Sequence, residues 1–216
     1  MNLWQDFLLN PGNRCDKWAH YFPIYERHFS WYRNKSLTFL EIGVNRGGSL
    51  EMWQRYFGPL ARIVGIDIDP ECRKLNGTPG MHVRIGNQSD IKFLQEVIDE
   101  FGVPDIVLDD GSHKMGDVFN SFSYLYPKLL KNGVYMVEDM HACYYPQYEG
   151  SPDDLSTFIN RSKRYVDQLN AHPAYGTGVK RDPLLQGTFG INFYDGAVVY
   201  EKGEVYRNQY LTMDKK

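Results

Sequence analysis

Several things are scarce in this sequence. Its 216 residues include 3 cysteines, Cys15, Cys72 and Cys143, an odd and widely spaced set with no C-x-x-C pair. That excludes a disulfide framework or a thiolate zinc site, and the thiols read as reduced, in a cytoplasmic protein. No apolar run approaches the roughly 18 residues of a membrane span. The start, MNLWQDFLLNPGNRCDKW, lacks the basic cluster and apolar core of a signal peptide, so no membrane partner is expected. Basic excess is missing too: 24 Lys plus Arg stand against 27 Asp plus Glu, a formal net charge of -3. Such a balance supplies no broad field to attract nucleic acid, and a small or neutral substrate fits better.

What is present is ordinary for a globular chain, with 42% hydrophobic and 24% charged residues. The length suits one domain with extensions, able to bury a full core without staples. Residues 1–36 read as a helical lead-in rich in aromatics, 37–141 as a nucleoside- and metal-binding core, and 142–216 as a substrate-side helix, loop and hairpin.

From Leu37 onward, short apolar runs alternate with helical patterns, the signature of β-α-β units and a parallel sheet. The runs are 38–44 (TFLEIGV), 61–69 (ARIVGIDID), 81–87 (MHVRIGN), 105–111 (DIVLDDG) and 134–139 (VYMVED). Helices are expected over 49–57, after Ser89 as N-cap, over 117–130 and from Ser151 onward, with a helix or turn after Pro70. The segment TFGINFYDGAVVYEKGEV reads as two strands around an Asp195-Gly196 turn. The expected fold is therefore α/β, a Rossmann-like sheet, mostly parallel, with helices on both faces and a C-terminal antiparallel hairpin. Such sheets bind ligands outside the C-terminal ends of their strands.

Chemistry-bearing residues collect at those ends. Glu41-Ile42-Gly43-Val44-Asn45-Arg46-Gly47-Gly48 follows the first strand. It is not the G-x-G-x-x-G fingerprint of dinucleotide sites; it is either a structural strand-to-helix turn or a loop shaped for a ligand without a pyrophosphate. Asp67 ends the second strand, where an acid can accept both hydrogen bonds of a ribose diol. Asp69 either shares that side or caps the turn at Pro70, and Asp90 either contacts an adenine amino group or caps a helix. Asp109-Asp110-Gly111-Ser112-His113 ends the fourth strand and Glu138-Asp139 the fifth. Carboxylates beside apolar strands need partners, and a bound cation answers that need. Oxygen donors suit Mg²⁺, Ca²⁺ or Mn²⁺ better than zinc. His113 stands near enough to Asp110 to serve as a general base. The bland alternative makes these acids turn caps and His113 a local hydrogen-bonding group.

TFLEIGVNRGGSLEMWQRYFGPLARIVGIDIDPEC, GNQSD, DIVLDDGSH and NGVYMVEDMH together resemble class I S-adenosylmethionine-dependent methyltransferases. They are most similar to the catalytic domain of metal-dependent sugar O-methyltransferases of the macrocin and mycinamicin type, from about Asp16 to Asp139. The resemblance implies S-adenosylmethionine and Mg²⁺ as cofactors, and a hydroxyl of a sugar or glycosylated small molecule as acceptor, in natural-product biosynthesis. It also implies that Glu41 and Gly43 border the methionine end of the cofactor, with Gly47 in the same cofactor-binding set. Asp67 would hold its ribose, Gln88, Ser89 and Asp90 would approach adenine, and Asp109 would belong to the same cofactor set. Asp110, Glu138 and Asp139 match the metal ligands, and His113 the base. DKWAHYFPIYERHF is similar to the segment that precedes the fold there, which implies that Lys17, His20 and Tyr21 roof the cofactor pocket. A separate N-terminal oligomerisation domain of some relatives is not matched, which leaves homo-oligomer formation open. The tract from Ala142 through Tyr144 and Tyr145 to Tyr148 departs from the usual ending; these tyrosines either stack on the acceptor or pack beneath the following helix. A catechol-type O-methyltransferase, a non-catalytic S-adenosylmethionine-binding protein and a nicotinamide oxidoreductase are the rival readings.

Overall fold

The computed structural model describes residues 2–171, 176, 178–204 and 212–213. Five parallel strands form where the apolar runs predict them: β1 (Leu37–Ile42), β2 (Ala61–Asp67), β3 (Met81–Ile85), β4 (Ile106–Asp109) and β5 (Val134–Val137). The hairpin of β6 (Thr188–Tyr194) and β7 (Ala197–Lys202) joins them antiparallel through β7. The order is β3-β2-β1-β4-β5-β7-β6. The chain turns back between β1 and β4, the switch point at which such sheets open a crevice. The last residue of the expected hairpin, Val205, lies outside the described residues.

Alternation along each strand divides the core in two. Phe39, Ile63, Val83, Ile106, Leu108 and Met136 face one side, where α2 (Phe22–Phe29) and α3 (Gly48–Phe57) bring Tyr25, Phe29, Trp53 and Phe57. Leu40, Ile42, Val64, Val107, Tyr135 and Val137 face the other side. There α4 (Ile91–Phe101), α5 (Met115–Leu125) and α6 (Phe158–Asn170) supply Leu94, Phe122 and Phe158. Burial on both faces explains why β4 (IVLD) and β5 (VYMV) are buried throughout and carry no charged residue before their C-terminal ends. The lead-in begins with α1 (Leu3–Leu9), closed by a capping box of Asn2 and Gln5.

Several boundaries differ from the sequence expectation. Asp90, not Ser89, caps α4, accepting from the Lys92 and Phe93 N–H groups. Asp69 caps a 3-10 turn over Pro70–Leu75 by accepting from Glu71. α5 starts at Met115 and gives way at Tyr126 to a 3-10 turn containing Pro127, which cannot continue an α-helix. α6 starts at Phe158 instead of Ser151, because the Asp154 carboxylate takes both the N–H and the hydroxyl of Ser156 and holds that stretch in a turn.

Candidate active site

The loop after β1 is built around Gly43 and Asp67. Gly43 has φ +91°, and a Cβ there would lie 2.1 Å from the Asp110 carbonyl oxygen, so no other residue fits. Two cavities, each of about 330 Å³, meet at Gly43, Asp67 and Gly111. The first runs over the ends of β2 and β4 and is lined by Ile66, Asn87, Gln88, Ser112 and Asp117. The second runs toward the α3 N-terminus and is lined by Arg14, Lys17, Asn45, Ser49 and Asp110. A third cavity, of about 430 Å³, lies on the β5 side between Lys17, Trp18, Tyr21, Asp110, Glu138 and Asp139.

The expected cofactor residues divide between wall and support. Gly43, Asp67 and Gln88 line the cavities. Glu41 is fully buried behind the loop, accepting from Ser49 Oγ at 2.7 Å and Trp53 Nε1 at 3.4 Å; burial pushes its carboxyl up to about 7. Gly47, at φ +82°, packs against Leu75 and precedes α3. Asp109 is buried beneath the crevice, where Ser121 Oγ, Tyr135 OH and Gln88 Nε2 donate to it at 2.7, 3.1 and 3.1 Å. Burial raises it to about 6. Its visible effect is to anchor Gln88, whose Oε1 accepts the Ser112 N–H at 2.8 Å. Ser89 donates to Asp117 and Asp90 is spent on its cap, so neither lines a cavity. Asn87 and Asp117 line the first cavity without having been singled out from the sequence, as does Ser112, which stands in the run after the fourth strand but was given no role there. Asp117 sits in the first turn of α5, where its only sequence signal was an acid near a helix start.

The acids at the ends of β4 and β5 do converge, but in two groups. Ligand atoms of Asp110, His113 and Asp139 all lie within 4.8 Å of one another, with His113 Nε2 3.6 Å from Asp139 Oδ2. Glu138 belongs to a second group: Tyr25 OH bonds one of its oxygens, and Lys17 Nζ approaches the other at 2.9 Å. Lys17 also reaches Asp110 Oδ2 at 2.6 Å and Glu41 Oε1 at 3.6 Å, with 2% of its side chain exposed. Burial alone would depress this ammonium, but Asp110 and Glu138 hold it well above the ordinary lysine range. Burial pushes Glu138 up to about 8 against the pull of Lys17.

His113, Asp139 and Asn45 all have positive φ, at +57°, +53° and +49°. Such strain in non-glycine residues collects where a site fixes its side chains. Tyr21 helps hold Asp139: its hydroxyl lies 2.9 Å from Oδ1 and accepts the Asp139 N–H at 3.1 Å. Tyr148 packs its ring edgewise on His113, whereas Tyr144 and Tyr145 are exposed.

Three carboxyls, Glu41, Asp110 and Glu138, thus surround a single ammonium, and Asp139 stands beside them on the Tyr21 hydroxyl. Burial raises Glu41 and Glu138, and Lys17 offsets it only in part. This oxygen-rich donor set fits a hard divalent cation.

No family model matches the chain. Against 8-demethyl-8-alpha-L-rhamnosyl tetracenomycin-C 2'-O-methyltransferase of Streptomyces olivaceus, it is 36% identical over 199 residues, covering 87% of the chain and 52% of the relative. Against mycinamicin VI 2''-O-methyltransferase of Micromonospora griseorubida, it is 34% identical over 199 residues, covering 85% and 48%. By descent, the chain is a homologue of these sugar O-methyltransferases. The solved structure of MycE methyltransferase from the mycinamycin biosynthetic pathway, in complex with Mg, SAH and mycinamycin VI, matches with a TM-score of 0.84. That match is at 28% identity and covers 98% of this chain and 56% of that one. The motif resemblance and the Rossmann-like methyltransferase fold expected from the sequence are both borne out. The chain spans about half the length of the curated relatives it matches.

Proposed function

We propose that the chain is an S-adenosylmethionine-dependent, Mg²⁺-dependent O-methyltransferase acting on a hydroxyl of a sugar carried by a small molecule. The observation that carries this reading is the group of Asp110, His113 and Asp139 beside the Gly43 and Asp67 crevice, in a chain whose relatives methylate sugar hydroxyls. Residues 1–216 act as one methyltransferase domain in this reading. Use of a metabolic methyl donor and three unpaired thiols favours the cytoplasm.

In this proposal Asp67 receives the ribose hydroxyls and Gln88 lies toward the base, with Asn87, Ser112 and Asp117 completing that wall. Ser89, Asp90 and Asp109 act from behind it. Glu41 and Gly43 border the methionine end, with Gly47 setting the helix start. Asp110, Glu138 and Asp139 would hold the cation, although Glu138 Oε2 is bonded to Lys17 here. When bound, the cation supplies Lewis acidity to the acceptor hydroxyl and lowers its pKa. His113 Nε2 would take the proton as the oxygen bonds the methyl carbon and the carbon–sulfur bond breaks, its electron pair returning to sulfur and S-adenosylhomocysteine leaving; Asp139 would steady the resulting imidazolium. The loops then contribute by keeping oxygen, carbon and sulfur in line, an effect worth about 7 to 11 kcal/mol when geometry is well held.

The test is methyl transfer from S-adenosylmethionine, with Mg²⁺, to a panel of rhamnosides, other glycosides and catechols. Methylated glycosides are the expected products. Products from catechols alone would replace the sugar acceptor with an aromatic diol, and binding of the donor with no transfer to any acceptor would reduce the chain to a binding protein.

A further inference from the structure

Lys17 comes from the lead-in, yet its Nζ lies among acids at the ends of three strands: Asp110 at 2.6 Å, Glu138 at 2.9 Å and Glu41 at 3.6 Å. Together with Asp110 it lines both the second cavity, toward the α3 N-terminus, and the third, on the β5 side, so this ion pair stands between them. The oxygens it bonds, Asp110 Oδ2 and Glu138 Oε2, belong to two of the three acids assigned to the divalent cation under the proposed function, on which this inference rests. Mg²⁺ binds oxygen at about 2.0 to 2.1 Å and requires the same lone pairs. An ammonium at hydrogen-bond distance from those oxygens both occupies them and repels the incoming charge.

We propose that Lys17 is a tethered monovalent occupant of the acid cluster that competes with the divalent cation for Asp110 and Glu138, and so sets how tightly the metal binds. A second seat is already beside it. Glu41 Oε1 is 3.6 Å away, and the Glu41 carboxyl is otherwise bonded to the neutral donors Ser49 and Trp53. On metal entry the ammonium passes from Asp110 and Glu138 to Glu41, remaining paired throughout. Lys17 thereby links the methionine end of the crevice to the metal end. It is a positioning residue: it touches neither the hydroxyl nor the methyl group.

The experiment is calorimetric titration of the chain with Mn²⁺, without methyl donor or acceptor, for wild type, Lys17→Gln and Lys17→Arg. Lys17→Gln is expected to bind Mn²⁺ about tenfold more tightly or better, because an amide keeps the hydrogen bonds and removes the charge. Lys17→Arg, still charged, stays within about threefold of wild type on the same grounds. Equal or weaker binding by a Lys17→Gln protein that melts like wild type overturns the competition and leaves the metal reading standing. No Mn²⁺ binding by wild type or either variant overturns both. Should Lys17→Gln fail to fold, a crystal structure of the wild-type chain in Mg²⁺ decides: Nζ withdrawn from Asp110 and Glu138 supports the proposal, and both ion pairs intact beside a bound ion overturn it.

Discussion

Asp67 holds the loop after β1 through its side chain: one oxygen, Oδ2, accepts the Val44 N–H at 2.8 Å and the Asn45 N–H at 3.0 Å. Oδ1 accepts the Asp69 N–H at 2.9 Å. The acid assigned to the ribose therefore also shapes the wall opposite it. Asp67→Ala is expected to weaken binding of S-adenosylhomocysteine by about ten- to a hundredfold and to lower stability by about 1 to 3 kcal/mol, since it strands backbone donors. Asp67→Asn, which keeps one acceptor oxygen, loses less of both. Calorimetry with S-adenosylhomocysteine and urea melts measure the two effects.

Gly43 and Gly102 make a controlled pair. Both have positive φ, +91° and +84°, but a Cβ at Gly102 meets nothing within 4 Å, whereas at Gly43 it would meet backbone at 2.1 Å. Gly102→Ala should cost about 1 to 3 kcal/mol, the penalty of its φ +84°, ψ 171° backbone alone. Gly43→Ala should cost clearly more and should abolish cofactor binding, because β1 and the Asp110 carbonyl must separate. Thermal melts of the two variants make the comparison.

His113 and the cation are separable in kinetics. His113→Gln is expected to lower kcat by about 10² to 10⁴, the usual contribution of a positioned base, while leaving S-adenosylhomocysteine affinity unchanged. A divalent-ion chelator should abolish turnover of the wild type, with recovery on added Mg²⁺. Full activity in chelator would remove the cation from the mechanism, and an undiminished His113→Gln would remove the base.

Glu41 makes stability depend on pH. Its folded value, about 7, lies above the model-peptide value of 4.5 because the carboxyl is buried. Between those limits the folded chain binds more protons than the unfolded one, so this contribution is full below pH 4.5 and is lost as pH rises through 7. The displacement corresponds to on the order of 3 kcal/mol. Glu41→Gln cannot ionise. Its stability relative to wild type should therefore improve by on the order of 2 to 3 kcal/mol between pH 5 and pH 8, read from denaturant melts at each pH. A difference that stays flat across that range would show that Glu41 is not the group responsible.

The sheet, the glycine loop and the acids at the strand ends were legible in the sequence because each rests on local pattern: apolar runs, a strand-to-helix spacing, carboxylates where a strand stops. The choice between cap and ligand was not. Asp69 and Asp90 both turned out to cap, a matter of where two following N–H groups point. The division of Glu138 from Asp139 was equally hidden, since it depends on a left-handed turn at Asp139 and on Tyr25 arriving from α2. Lys17 was expected beside the cofactor pocket; it lines the second cavity, and its ammonium is also buried among the acids. Nothing local to DKWAHYF shows that its ammonium will find Asp110 and Glu138.

Those two bonds join positions 93 and 121 residues apart. More than half of the chain must leave the ribosome before Lys17 can meet either acid, and contacts so distant in sequence are slow to close. The crevice floor can be complete while its partition is still in water, so the ability to hold the nucleoside should appear earlier in folding than the proposed tuning of metal affinity.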